Sequence, residues 1–116
     1  MASLSSLDSS ILNVGLDLAM EFGKNWLKPI QSRLAERYPT LATKDLDAYD
    51  TDCRACMTYA NDLIVRCWRE TKGSQDESFR LFQERVLGRY AWVSAPNLAR
   101  LFSQSCYYAW KDGDLP

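Results

Sequence analysis

The chain contains no histidine. That absence removes Ser-His-Asp and Cys-His nucleophile pairs, histidine-ligated metals and any pH switch built on imidazole. Glycine and proline are sparse, 5 and 4 in 116 residues, too few for a turn-rich all-β fold. Charge of one sign is also missing: 14 Lys and Arg offset 15 Asp and Glu, so no net field draws the chain to nucleic acid or an anionic membrane. No apolar run approaches the ~18 residues of a membrane span. No Gly-rich phosphate loop, G-x-S-x-G or H-E-x-x-H occurs, and no two carboxylates are set by sequence into one apolar pocket. The expectation is a chain without catalytic residues, cofactor or metal.

What is present suits one ordinary globular domain over residues 1–116. Apolar residues make up 47% and charged residues 25% of the chain, which excludes disorder and collagen-like structure. The first eight residues lack the basic stretch of a signal peptide, and the absence of Arg there argues against a transit peptide. Cys53, Cys56, Cys67 and Cys106 are therefore read as reduced thiols, and the expected compartment is the cytoplasm, with no membrane association.

Period and punctuation give five helical segments. The first is expected from about Asp8 to Leu27, with Asp8, Ser9 or Ser10 as N-cap and a stripe of Ile11, Val14, Leu18, Phe22 and Trp26. A short second helix opens at Pro29 and ends at Tyr38, before Pro39. A long third helix runs from about Lys44 to Thr71, with Thr43 as N-cap and Gly73 closing it at C′. Its stripe is Leu46, Tyr49, Cys53, Cys56, Met57, Ala60, Ile64, Cys67 and Trp68. Ser74 and Glu77 form a capping box for a fourth helix reaching about Trp92, with Phe79, Phe82, Val86 and Tyr90 inward. Ser94 caps a fifth helix with Pro96 in its first turn, ending near Lys111. Its stripe is Leu98, Leu101, Phe102, Ser105 and Ala109. No segment alternates with period 2, and short connections make antiparallel neighbours, so the fold class is all-α, an up-and-down bundle of four to five helices.

Cys53-x-x-Cys56, with Cys67 on the same face, has the spacing of a thiolate pair for zinc. All three nevertheless fall on the apolar stripe of the longest helix, away from the turns that usually supply such pairs, and Cys53 lies about two turns inside rather than at a helix N-terminus. They read as small core hydrophobes. Asp45, Asp47, Asp50 and Asp52 lack the glycine and bidentate Glu of an EF-hand loop and read as first-turn dipole partners and solvated acids. Asp50, beside the apolar stripe, calls for a partner such as Arg54 at i+4.

Three surface readings remain. Arg85, Arg89, Trp92, Arg100, Tyr107 and Trp110 combine the residue types that anchor protein interfaces, so they form the expected contact surface for a partner protein. Leu12, Leu16 and Met20 widen the stripe of the first helix and offer a face for homodimerisation. Asn97, Arg100, Ser103, Gln104, Tyr107 and Lys111 are expected to project together from the fifth helix, the basis of an alternative reading as a nucleic-acid-binding regulator with Arg85 and Arg89 on phosphate. The leading expectation is a small non-enzymatic protein-interaction module whose partner is another protein or a second copy of itself.

Overall fold

The computed structural model describes residues 7–21 and 28–115. Among these the chain is all-α, with five helices and no strand: α1 Ser9–Ala19, α2 Gln31–Arg37, α3 Thr43–Glu70, α4 Gln75–Arg89 and α5 Ala95–Lys111. The expected fold class of four to five helices is the one found. Two units can be distinguished, Met1–Ala55 and Cys56–Pro116, and α3 contributes its first half to one and its second half to the other.

In the first unit, the Asp8 side chain caps α1, its Oδ1 accepting from the N–H groups of Ser10 at 2.7 Å and Ile11 at 3.4 Å. The helix stops at Ala19, earlier than its apolar pattern predicts, and Phe22, Trp26 and Leu27 lie outside the described residues. Its buried stripe is Leu12, Gly15, Leu16 and Ala19, with Leu18 and Met20 also inside, whereas Ile11 and Val14 are only half-buried. This corrects the expected self-association face: Leu12, Leu16 and Met20 are 3%, 0% and 0% exposed within a single chain. The i, i+3, i+4, i+7 series runs through Gly15 and Ala19, small residues that do not announce themselves as core. At Gly15 the helix passes so close to its neighbours that a Cβ would stand 3.0 Å from Cys53 Sγ and 3.1 Å from Ile30 Cδ1.

Helix α2 has no side-chain cap of its own, because Ile30 occupies the N-cap. Asp50 on α3 supplies one instead, its Oδ1 accepting from the Ile30 N–H at 3.2 Å, and Asp47 accepts from Gln31 Nε2 at 3.2 Å. The expected i+4 pairing of Asp50 with Arg54 gives way to this backbone bond. Arg33 fastens the other side: Nη1 donates to Leu18 O at 2.9 Å and to Glu21 Oε1 at 2.8 Å, and Nη2 to Lys28 O at 3.2 Å.

In the second unit, α3 ends in a Schellman motif. The Gly73 N–H donates to Trp68 O at 2.9 Å and the Lys72 N–H to Arg69 O at 3.2 Å, with Lys72 at φ 54 and Gly73 at φ 83. The left-handed C′ residue is thus Lys72, one position before the glycine expected there. Ser74 caps α4 by accepting from the Glu77 N–H at 3.4 Å, and Ser94 caps α5 by accepting from the Asn97 N–H at 3.3 Å. Helix α4 ends at Arg89 rather than near Trp92, with Tyr90 as C-cap. Leu63, Ile64, Phe82, Val86, Leu98 and Leu101 are buried. Phe102 packs edge-on against Phe79 and Phe82, with centroids 4.9 and 5.3 Å away. Such offset ring pairs add about 0.5–1.5 kcal/mol beyond the area they bury.

Candidate partner-binding surface

The amphipathicity of α5 decides which of its side chains reach solvent. Leu98, Leu101, Phe102, Ser105 and Ala109 face inward as expected, but Asn97 and Gln104 join them at 7% and 6% exposure. The expected polar face therefore loses the two side chains suited to reading adenine edges, and Arg100 is half-buried. Ser103, Tyr107 and Lys111, at i, i+4 and i+8, are exposed along one edge, and Trp110 lies beside them.

Among the described residues, Trp110 and Tyr107 are the large hydrophobics that stay exposed, at 59% and 47%. Their rings meet at 6.2 Å between centroids with a 41° tilt. Beside them opens a groove of about 420 Å³, with Trp68, Phe102, Cys106 and Leu115 as its apolar lining and Gln75 and Ser103 as its polar lining. Leu115 reaches the groove because Gly113, at φ 85, turns the chain back after α5 and lets the Asp114 N–H donate to Ala109 O at 2.8 Å. A second hollow of about 250 Å³ shares Gln75 and Phe102 with the first and adds Asp76, Phe79 and Ala99. Burial pushes the Cys106 thiol up to about 11, with the Cys67 sulfur a smaller contributor, so the groove presents a neutral thiol at pH 7.

The six expected contact residues separate into local groups. Tyr107 and Trp110 flank the groove. Arg89 and Trp92 belong to a different cluster: the Arg89 guanidinium lies 4.9 Å from the Tyr59 centroid and 6.0 Å from that of Tyr90, and Trp92 meets Tyr90 at 6.3 Å. Arg85 belongs to neither. It donates from Nη1 and Nη2 to the two carboxylate oxygens of Glu70, at 2.8 and 2.7 Å, and this bond holds the Glu70 carboxyl below the usual carboxylate range. Its fork is engaged within the chain.

Trp68, Tyr59 and Tyr90 escaped sequence reasoning as half-exposed residues, and the buried Leu115 escaped it as a lining residue of the groove. Trp68 and Tyr90 carry a stripe position each, and that same pattern hides their partial exposure at helix ends. Leu115 depends on the turn at Gly113. The thiols behave as small hydrophobes. Cys53, Cys56 and Cys67 are buried thiols in no disulfide, and Cys53 Sγ donates to Leu12 O at 3.3 Å. Burial pushes Cys56 up to about 12. Among the described residues no group of three or more Cys, Asp or Glu side chains is placed to hold a metal ion, and no helix is long and apolar enough to cross a membrane. No protein-family profile, curated protein or solved structure matches the chain.

Proposed function

We propose that this chain is a non-enzymatic protein-interaction module of the cytoplasm that binds its partner through the Tyr107–Trp110 groove, and that a second copy of the chain is one such partner. The observation that carries this reading is the exposure of Trp110, 59%, beside an apolar groove of about 420 Å³. Trp and Tyr are the side chains that most often carry binding energy, since each offers a large rigid surface at little entropic cost. A projecting ring and a receiving groove on one patch are also self-complementary, which is the requirement of a two-fold interface. Leu12, Leu16 and Met20 are buried and so not open to a second copy, whereas Tyr107 and Trp110 are exposed, which favours this patch for self-association. An interface centred on two exposed rings per copy is smaller than the roughly 1,600 Å² of a standard stable complex, so the self-association is expected to be weak and concentration-dependent.

Sedimentation velocity over a wide concentration range tests the reading. The wild type is expected to show a reversible rise in mass that Tyr107→Ala with Trp110→Ala removes, while the helical circular dichroism signal is unchanged. A mass that stays monomeric throughout removes self-association. An oligomer that persists in the double variant removes the groove as its site.

A further inference from the structure

Tyr59 on α3, Tyr90 at the C-cap of α4 and Trp92 in the turn that follows form a cluster of rings that the groove on α5 does not use. The Tyr59 and Tyr90 rings stand 5.8 Å apart at 61°, and the Tyr90 and Trp92 rings 6.3 Å apart at 75°. Steeply inclined neighbouring rings make walls rather than a stack. One of these walls already holds a cation: the Arg89 guanidinium carbon lies 4.9 Å from the Tyr59 centroid and 6.0 Å from the Tyr90 centroid. Among the described residues no carboxylate pairs with Arg89, which is exposed and held by the rings alone. Arg85, one turn earlier on α4, takes a bidentate carboxylate instead. The cluster also sits at the C-terminus of α4, where the helix dipole adds negative potential.

We propose that Tyr59, Tyr90 and Trp92 form an aromatic cage for a quaternary ammonium group, and that Arg89 is its resident, displaceable occupant. A ring face attracts a cation through its quadrupole, and a trimethylammonium group satisfies that attraction without hydrogen bonds that it would have to give up. The guanidinium differs in that respect: its N–H donors are better served by water, so it yields the site when a methylated cation arrives. The two sources of such a group are a trimethylated lysine side chain and choline. The site is separate from the groove on α5, and its failure would leave the groove reading intact.

The test is a titration of the Trp92 indole N–H and the amides of residues 90–92 by nuclear magnetic resonance, using choline, N-ε-trimethyllysine, unmodified lysine and 3,3-dimethylbutan-1-ol, the neutral isostere of choline. Saturable shifts are expected with choline and trimethyllysine, and not with lysine or the neutral isostere. Arg89→Ala is expected to tighten both by about fivefold, the equivalent of one exposed cation–π contact no longer competed for. Tyr59→Leu and Trp92→Leu, which keep apolar bulk and remove the quadrupole, are expected to abolish the shifts with the fold retained. Tighter binding of trimethyllysine than of choline assigns the site to a modified side chain, and the reverse order to a choline group. Equal shifts from the neutral isostere, or affinities that are the same in wild type, Arg89→Ala and Tyr59→Leu, would overturn the proposal.

Discussion

Lys72 holds φ 54, the left-handed region that costs a residue with a Cβ roughly 1–2 kcal/mol. It does so because α3 ends in a Schellman motif that needs a left-handed C′, and the neighbouring Gly73 falls one position late for that duty. Lys72→Gly is therefore expected to stabilise the protein by about 0.5–1 kcal/mol, part of the relief being returned as added freedom of the unfolded chain. A rise in the urea midpoint would show it. The thiols make a second prediction. Cys56 and Cys106, pushed up to about 12 and about 11, stay neutral in the folded chain where an unfolded thiol, near 9.0, ionises. Because the folded values are raised, their contribution is complete below pH 9 and is lost as pH climbs through 11 to 12. Thermal scans across that alkaline range are expected to show a falling midpoint that Cys56→Ser does not share in full. At this scale the sequence was readable wherever a residue type has one dominant habit, as with Cys on an apolar stripe or Ser94 before Pro96. It misled where two habits compete, as with Asn97 and Gln104, polar residues that the structure buries.

Elements are bounded by caps, and most caps could be read from the order of residues alone. Asp8, Ser74 and Ser94 accept helix N–H groups as their positions imply. Helices α2 and α3 are exceptions: Thr43, expected as an N-cap, is the first residue of α3, and the capping oxygen of α2 comes from Asp50, 20 residues beyond Ile30. No local pattern encodes a cap delivered by another helix, and the acidic run from Asp45 to Asp52 looks like a solvated first turn until α2 is set against it. Asp50→Ala leaves the Ile30 N–H without this acceptor and is expected to cost about 1.5–2 kcal/mol, as for hydrogen bonds to charged groups. Asp50→Asn keeps an oxygen acceptor and is expected to lose less. Hydrogen exchange would place the damage: amides of α2 should lose protection well ahead of those of α5. Helix α1 offers the other lesson of this scale. Both of its faces carry large apolar residues, and the stripe expected inward runs through Ile11 and Val14, which are only half-buried, while Leu12 and Leu16 are buried. Gly15 allows the close approach to Cys53 and Ile30 on the side where Leu12 and Leu16 are buried.

For the whole molecule, composition and period were sufficient for the all-α class, because helical spacing persists through every described segment without alternation. They were not sufficient for the surface. The groove beside Trp110 requires a turn at Gly113, a returning Leu115 and the flank of Trp68, drawn from places 45 and more residues apart in the chain. Tyr107 and Trp110 were singled out for their residue type and position near a helix end, and what the structure adds is the groove that both of them line. Trp110 and Tyr107 stand exposed, as the proposed contact role requires, whereas Leu16 is fully buried. Equilibrium urea unfolding at low protein concentration compares the two most directly. Trp110→Ala is expected to stay within about 1 kcal/mol of wild type, and Leu16→Ala to lose about 2–5 kcal/mol, as deletions in a packed interior do. A loss at Trp110 as large as that at Leu16 would make the indole part of the core and contradict the contact role.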